Sequence, residues 1–185
     1  MSCRRDADVR PGLVARLRAA HPGSQVLEEM GLHHGHVRVD VAVISADCLH
    51  GYEVKADADT LKRLPVQVWR YGEVMDRCTL VVGLRHLDAA LPLLPAWWGI
   101  VIASRDGFHA ARPALPNPDP CAHNTCRLLW REESLALLDE VGAARGVRGK
   151  AKNTLYRRLV EVVPAAELRA HVRRLVVARG DWRQP

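Results

Sequence analysis

Two apolar runs carry acidic residues where burial would be costly, and that combination constrains this chain more than anything else in it. In residues 36–44, Val37, Val39, Val41 and Val43 alternate with Arg38, Asp40 and Ala42, the period of two expected of a strand. The four valines are expected on one face, with Asp40 pointing away from them. In residues 51–57, Glu53 and Lys55 share one face while Tyr52 and Val54 share the other. His50 and Gly51 read as a turn, so the two runs can pair as a hairpin that brings Asp40, Glu53 and Lys55 to one sheet edge. Two carboxylates at one spot repel each other unless they share a cation. Mg²⁺ or Mn²⁺ takes oxygen ligands from both, polarises a phosphate and activates water. The Val54 carbonyl is a further candidate ligand. Lys55 would orient the attacking water or offset developing charge on the phosphorane. Taken alone, an Asp beside a Glu-x-Lys is equally a surface salt bridge worth under about 1 kcal/mol.

The next segment is helical and presents Gln67 and Tyr71 one turn apart, on a shared face. Asp59, before Thr60 and Leu61, reads as the N-cap of that helix, and Asp57 as an outer partner of a bound cation. Lys62, Arg63 and Arg70 are candidate phosphate contacts, or simply a solvated face.

The order Asp40, Glu53-Val54-Lys55, Gln67-x-x-x-Tyr71 resembles the PD-(D/E)xK nuclease superfamily, and the Gln-x-x-x-Tyr element is similar to that of its RecB-like branch. The longer run from Glu53 to Asp76 also resembles a family of small bacterial and phage proteins of that superfamily. The resemblance covers residues 25–112, with Val39 standing where the motif has proline. It implies a restriction-endonuclease-like α/β fold, a mixed sheet flanked by helices, and a Mg²⁺- or Mn²⁺-dependent phosphodiesterase. It further implies an acidic residue from an upstream helix or its end. Glu28 and Glu29 are the candidates, Glu29 being favoured as a metal ligand. Gln67 and Tyr71 are then expected to shape the metal site or touch nucleic-acid backbone.

Residues 10–21 are expected to form the first helix. Residues 78–83 and 97–104 read as short buried strands, the second with a hairpin partner from Gly107; Trp97 and Trp98 read as core or core-rim residues. Prolines 113, 116, 118 and 120 mark a linker. The expected organisation is a catalytic core over 1–112, a linker over 113–124 and a basic helical extension over 125–185. In that extension, residues 127–146, 152–163 and 164–180 have apolar positions at helical spacing. Asn153 or Thr154 is a candidate cap.

Charge is unevenly spread. From Val141 to Pro185 eleven Lys and Arg face three acids, a balance of +8 in a chain whose total is +6. Such a segment should attract polyanions with affinity that falls with salt. Arg148, Lys150, Lys152, Arg157 and Arg158 are the candidate nucleic-acid contacts, and DNA is expected rather than RNA. A solvated helical bundle is the alternative, as is a protein partner with an acidic surface. No apolar run of about 18 residues is available to cross a membrane. The first ten residues lack the apolar core of a secretory signal, so the cytoplasm is the expected compartment. Five scattered cysteines there are expected as free thiols. Cys121, His123 and Cys126 supply too few ligands for a structural zinc site. His33, His34 and His36 read as a polar turn ahead of the Asp40 strand. A homodimer remains open, as does a catalytically silent fold kept as a binding module.

Overall fold

The structure, a computed structural model, describes residues 5–179, so Cys3 and Gly180 lie outside the described residues. Helix α1 (Asp6–Ala20) is followed by strands β1 (Gln25–Leu32), β2 (Val37–Ile44) and β3 (Leu49–Lys55). Helix α2 (Leu64–Gly72) leads to β4 (Arg77–Gly83), short α3 (Leu87–Ala90), β5 (Gly99–Ser104) and β6 (Gly107–Arg112). Four helices complete the described chain: α4 (Ala122–Cys126), α5 (Arg131–Glu140), α6 (Lys152–Val162) and α7 (Ala165–Ala178). The six strands form one sheet in sequence order. β1, β2 and β3 run as an antiparallel meander, β4 and β5 continue parallel to β3, and β6 returns antiparallel. The expected mixed sheet flanked by helices is therefore present.

Each face of the sheet has its own apolar layer. On one side α1 buries Val9, Leu13, Val14 and Leu17 against Val41, Val43, Tyr52, Val54 and Val81, each such side chain contributing about 1.5–3 kcal/mol. On the other, α2 and the C-terminal helices pack on Met30, Val39, Ile44, Leu80 and Trp98, with Leu155, Leu159, Leu168 and Val172 in the same cluster. The valines of β2 do not share a face as the alternation predicts. Val39 packs with the α2 layer, while Val41 and Val43 belong to the α1 layer. The switch falls at Asp40, opposite a break in β1 where Glu29 adopts φ +55°.

Several local expectations are corrected. The segment holding Glu28 and Glu29 is strand, not helix, because β1 pairs with β2 on both sides of the break at Glu29. His50 and Gly51 lie inside β3; the reversal is made at residues 45–48, where Ser45 accepts the Cys48 N–H at 3.0 Å. Helix α1 starts four residues before Arg10 and carries Pro11 in its interior, and its first turn is closed by Asp8 accepting the Arg5 N–H. Neither Asn153 nor Thr154 caps α6, whose N-cap is Ala151; Asn153 bonds His123 instead.

Residues 113–121 form no helix or strand but are tied along the sheet. Leu115 donates to the Trp97 carbonyl, and Asn117 donates its backbone N–H to Asp76 and its side-chain amide to Gly72 and Met75. Helix α7 is fastened to the same corner. Arg173 reaches both the Ala46 carbonyl and the Asp76 carboxylate, each at 2.9 Å, and Arg169 meets the other Asp76 oxygen.

Candidate active site

The carboxyl end of β3 is the centre of the site, because β3 pairs with β2 on one side and β4 on the other. The Asp40 carboxylate accepts the Val54 N–H at 2.7 Å, which pins it in the plane of the sheet rather than on either face. Glu53 is fully buried. One of its oxygens accepts from the Lys55 ammonium and the other from the Tyr71 hydroxyl; the Arg38 carbonyl lies 2.8 Å from that hydroxyl as a competing acceptor. Tyr71 is seated by the buried Trp98, whose ring stacks on it at 5.9 Å. Burial first, and the neighbouring Glu53 carboxylate second, push the Tyr71 hydroxyl well above its ordinary pKa, so it stays a donor.

Burial also acts on Asp40. Desolvation, with the negative charge of Glu53 next, pushes its pKa from 3.8 up to about 7, against the pull of the Val54 N–H, Arg10 and Lys55. The two carboxylates are therefore crowded in the way that invites a shared cation.

Arg10, which sequence reasoning missed, partly meets that demand. Glu28 stands opposite Val41 and Met30 opposite Val39, so Glu29 faces Asp40 across the two strands. Like charges directly opposite destabilise a sheet. From α1, Arg10 pairs with Glu29, lies 3.3 Å from Asp40 and reaches Asp6 at 2.6 Å. Burial opposes the guanidinium charge, but hydrogen bonds to Glu29 and Asp6 outweigh it and hold the group ionised. Nothing local in the sequence marks this residue, since the pairing spans thirty positions.

A pocket of about 940 Å³ opens over these groups, and Glu29, Asp40, Glu53, Val54 and Lys55 all line it. Lys62, Arg63 and Gln67 line it as well. The Gln67 Oε1 atom is buried there with no hydrogen-bond partner among the described residues. Glu28 does not reach the pocket, and Glu29 does. Asp59 lines it but caps a turn, accepting the Ala56 N–H at 2.8 Å; the helix begins only at Leu64, so the N-cap expectation fails. Asp57 turns instead toward Gly83, where an added Cβ would collide with its carboxylate. Arg70 lies over the Trp69 ring at 4.1 Å and pairs with Glu73 at 3.3 Å, away from the pocket.

The basic residues of the C-terminal segment divide. Arg148 pairs with Asp139 and Arg158 with Glu161, and neither these nor Lys150 and Arg157 line the pocket. Lys152 lines an adjoining cleft. His33 is buried against Glu73, 3.3 Å away, and the Arg70 carbonyl, so the histidine turn is a structural corner there.

The donor set fits a hard divalent cation. Asp40, Glu53 and the Val54 carbonyl offer oxygen ligands, and Gln67 lines the same space although its Oε1 atom is buried from solvent. No group of three or more His, Cys, Asp and Glu among the described residues closes into a ligand cage. Mg²⁺ is commonly held by one or two carboxylates, with waters and substrate phosphate completing its shell.

Comparison with known proteins places the chain. The family model described as bacteriophage P4 protein cII matches residues 2–181. The chain belongs to the phage P4 cII family. That match spans the sheet, the proline-rich segment and the C-terminal helices alike. No curated protein matches the chain. Among solved structures, the SPO1766 protein of unknown function from Silicibacter pomeroyi is similar, at 24% identity and a TM-score of 0.46 over 76% of this cII-family chain and 90% of its own. No helix among the described residues is long and apolar enough to cross a membrane.

Proposed function

We propose that this cII-family chain is a Mg²⁺- or Mn²⁺-dependent nuclease of PD-(D/E)xK type, with a restriction-endonuclease-like fold, that hydrolyses phosphodiester bonds in DNA. The observation that carries the reading is the convergence of Asp40, Glu53 and Lys55 on one pocket that Lys62, Arg63 and Gln67 also line, with buried Tyr71 bonded to Glu53 from behind it. An ordinary salt bridge does not need this: a fully buried carboxylate carrying both an ammonium and a phenol is costly to assemble.

Asp40, Glu53 and the Val54 carbonyl would hold the cation, with Glu29 alongside. The cation would supply a nucleophilic hydroxide near neutral pH and polarise the scissile phosphate. Tyr71 fixes the Glu53 carboxylate by hydrogen bonding. Lys55, only 4% exposed, is held beside the reacting phosphate, where its charge offsets that of the phosphorane. Gln67 lines the same pocket and would help shape the site. Lys62 and Arg63 meet the substrate's backbone at the rim.

The test is cleavage of labelled single- and double-stranded DNA and of RNA with Mg²⁺, Mn²⁺ or EDTA, comparing wild type with identically purified Glu53→Ala and Lys55→Ala proteins. Metal-dependent cutting by wild type alone supports the reading, and cutting that persists in both variants refutes the site. A second reading, a silent nuclease fold used as a nucleic-acid-binding or partner-binding module, is favoured by one observation. Arg10 already neutralises Glu29 and approaches Asp40. Salt-sensitive binding of nucleic acid without cutting would select that reading.

A further inference from the structure

We infer that a second cleft, between the turn at residues 33–35 and the C-terminal helices, holds the phosphates of the nucleic-acid strand running out of the candidate active site. The identity of that strand rests on the nuclease reading; the cleft itself stands on four observations.

The first is continuity. The cleft, about 710 Å³, shares Glu29, Gly35 and Arg38 with the catalytic pocket, so one groove runs from Asp40 to helix α6. The second is charge. Arg127 and Lys152 line it, and neither has a carboxylate partner among the described residues. Arg179, also in the cleft, is neutralised by Glu133, and the one lining carboxylate, Glu29, is held by Arg10. The net field therefore favours an anion.

The third is the start of α6. Lys152 is its first residue, and Ala151 offers no side-chain cap, so the positive end of an eleven-residue helix opens at the same place. The fourth is His34. Arg127 Nε donates to His34 Nε2 at 3.3 Å, which leaves Nδ1 to carry the proton as an uncharged donor. Partial desolvation, then the charges of Arg127 and Lys152, lower the pKa of this imidazole. His34 holds φ +61°, a conformation that non-glycine residues adopt rarely. Leu128, Leu129 and Met30 form the buried apolar floor of the groove. Of the basic residues in α6, Lys152 faces this groove while Arg157 and Arg158 do not.

The test measures binding of full-length protein to fluorescein-labelled oligodeoxythymidine, and separately oligouridine, in EDTA across a salt series. Arg127→Ala with Lys152→Ala should lower the slope of log K against log salt by about 0.7 for each lost single-strand phosphate contact, about 1.4 together. Arg157→Ala with Arg158→Ala should leave the slope unchanged. If Arg127 proves necessary for folding, the single exposed change Lys152→Glu must still lower the slope. Binding of either oligonucleotide with this pattern supports the cleft, and the tighter one names the sugar. No binding by wild type, equal slopes throughout, or an equal fall in both double variants would overturn it. Hydrolysis of bis(p-nitrophenyl) phosphate, which needs only the catalytic pocket, separates the two readings. If wild type hydrolyses nothing with Mg²⁺ or Mn²⁺ while the slope still falls, the nuclease reading fails and the cleft stands. Hydrolysis with unchanged slopes gives the reverse.

Discussion

Replacing Asp40 by Asn tests the electrostatics on which the proposed metal site depends, without any need for activity. Asn keeps the shape and can still accept the Val54 N–H, but it has no proton to lose. In wild type the folded-state pKa of Asp40 is raised from 3.8 to about 7 by burial and by Glu53. A carboxyl raised in the folded state contributes stability that is fully present below about pH 3.8 and lost as pH climbs through about 7. Between about pH 5 and 7 the unfolded chain has ionised this group and the folded chain has not. Stability then falls by 1.36 kcal/mol per pH unit, about 2.7 kcal/mol over that interval. In a chain of this size each kcal/mol moves Tm by about 2–4 °C, so the Tm of the Asn variant should gain about 5–11 °C on wild type between those pH values. The difference between the two proteins must be read, because His50 acts in the opposite sense. Burial, then Arg77, lowers its pKa from 6.5 to about 3, so its contribution is lost as pH falls through that range, partly masking Asp40 in wild type alone. The assay is a pair of metal-free melting curves across pH. Saturating Mg²⁺ or Mn²⁺ should then stabilise wild type near pH 7 by mass action and do little for the variant. A Tm difference that is flat with pH would refute the reasoning.

Other perturbations follow from the same contacts. Tyr71→Phe strips a donor from buried Glu53 and should cost about 1–3 kcal/mol, read as a lower Tm, together with loss of metal-dependent cleavage; unchanged stability would mean that Glu53 does not rely on the phenol. Arg10→Met removes the cation between Glu29 and Asp40. It should lower the metal-free Tm and tighten Mn²⁺ binding by calorimetry, and weaker Mn²⁺ binding would show that Arg10 assists the metal. Gly83→Ala forces a Cβ into the Asp57 carboxylate and should cost about 1–3 kcal/mol by denaturant melting, whereas a neutral result would show that Asp57 can move aside.

How much of this was legible depends on what each residue's neighbours in sequence reveal. The Glu53–Lys55 pair and the Gln67–Tyr71 spacing were readable, because periods of two and four place side chains on shared faces of a strand and a helix. The switch of faces at Asp40 was not, since β2 is apolar on both sides and alternation carries no sign when both faces are buried. Glu28 and Glu29 read as helix-compatible because Leu, Glu and Met favour helices locally; pairing along β2 overrides that preference. The turn after β3 contains an Asp followed by Thr and Leu, a plausible cap pattern, yet Asp59 is spent on Ala56. Of the basic candidates, the sequence could count charges but not subtract the carboxylates that meet them in space, as Asp139 and Glu161 do.

Arg10 and the crowded carboxylates describe one compromise. A site that must bind a divalent cation needs several carboxylates close together, and in the metal-free protein they repel each other. Two devices reduce that cost here. Asp40 is biased toward its neutral form by burial, and Glu29 is paired with a guanidinium from a different layer of the fold. Glu53 uses a third route, with Lys55 and Tyr71 each occupying one of its oxygens. On the proposed reading, a cation entering the pocket would compete with all three: it would displace a proton from Asp40, loosen Arg10 and share Glu53 with its two donors. Metal affinity should therefore rise with pH through about 7, where the Asp40 proton is lost, and that rise should vanish in Asp40→Asn. On that reading, the same groups that keep the metal-free fold stable would set the threshold for loading it.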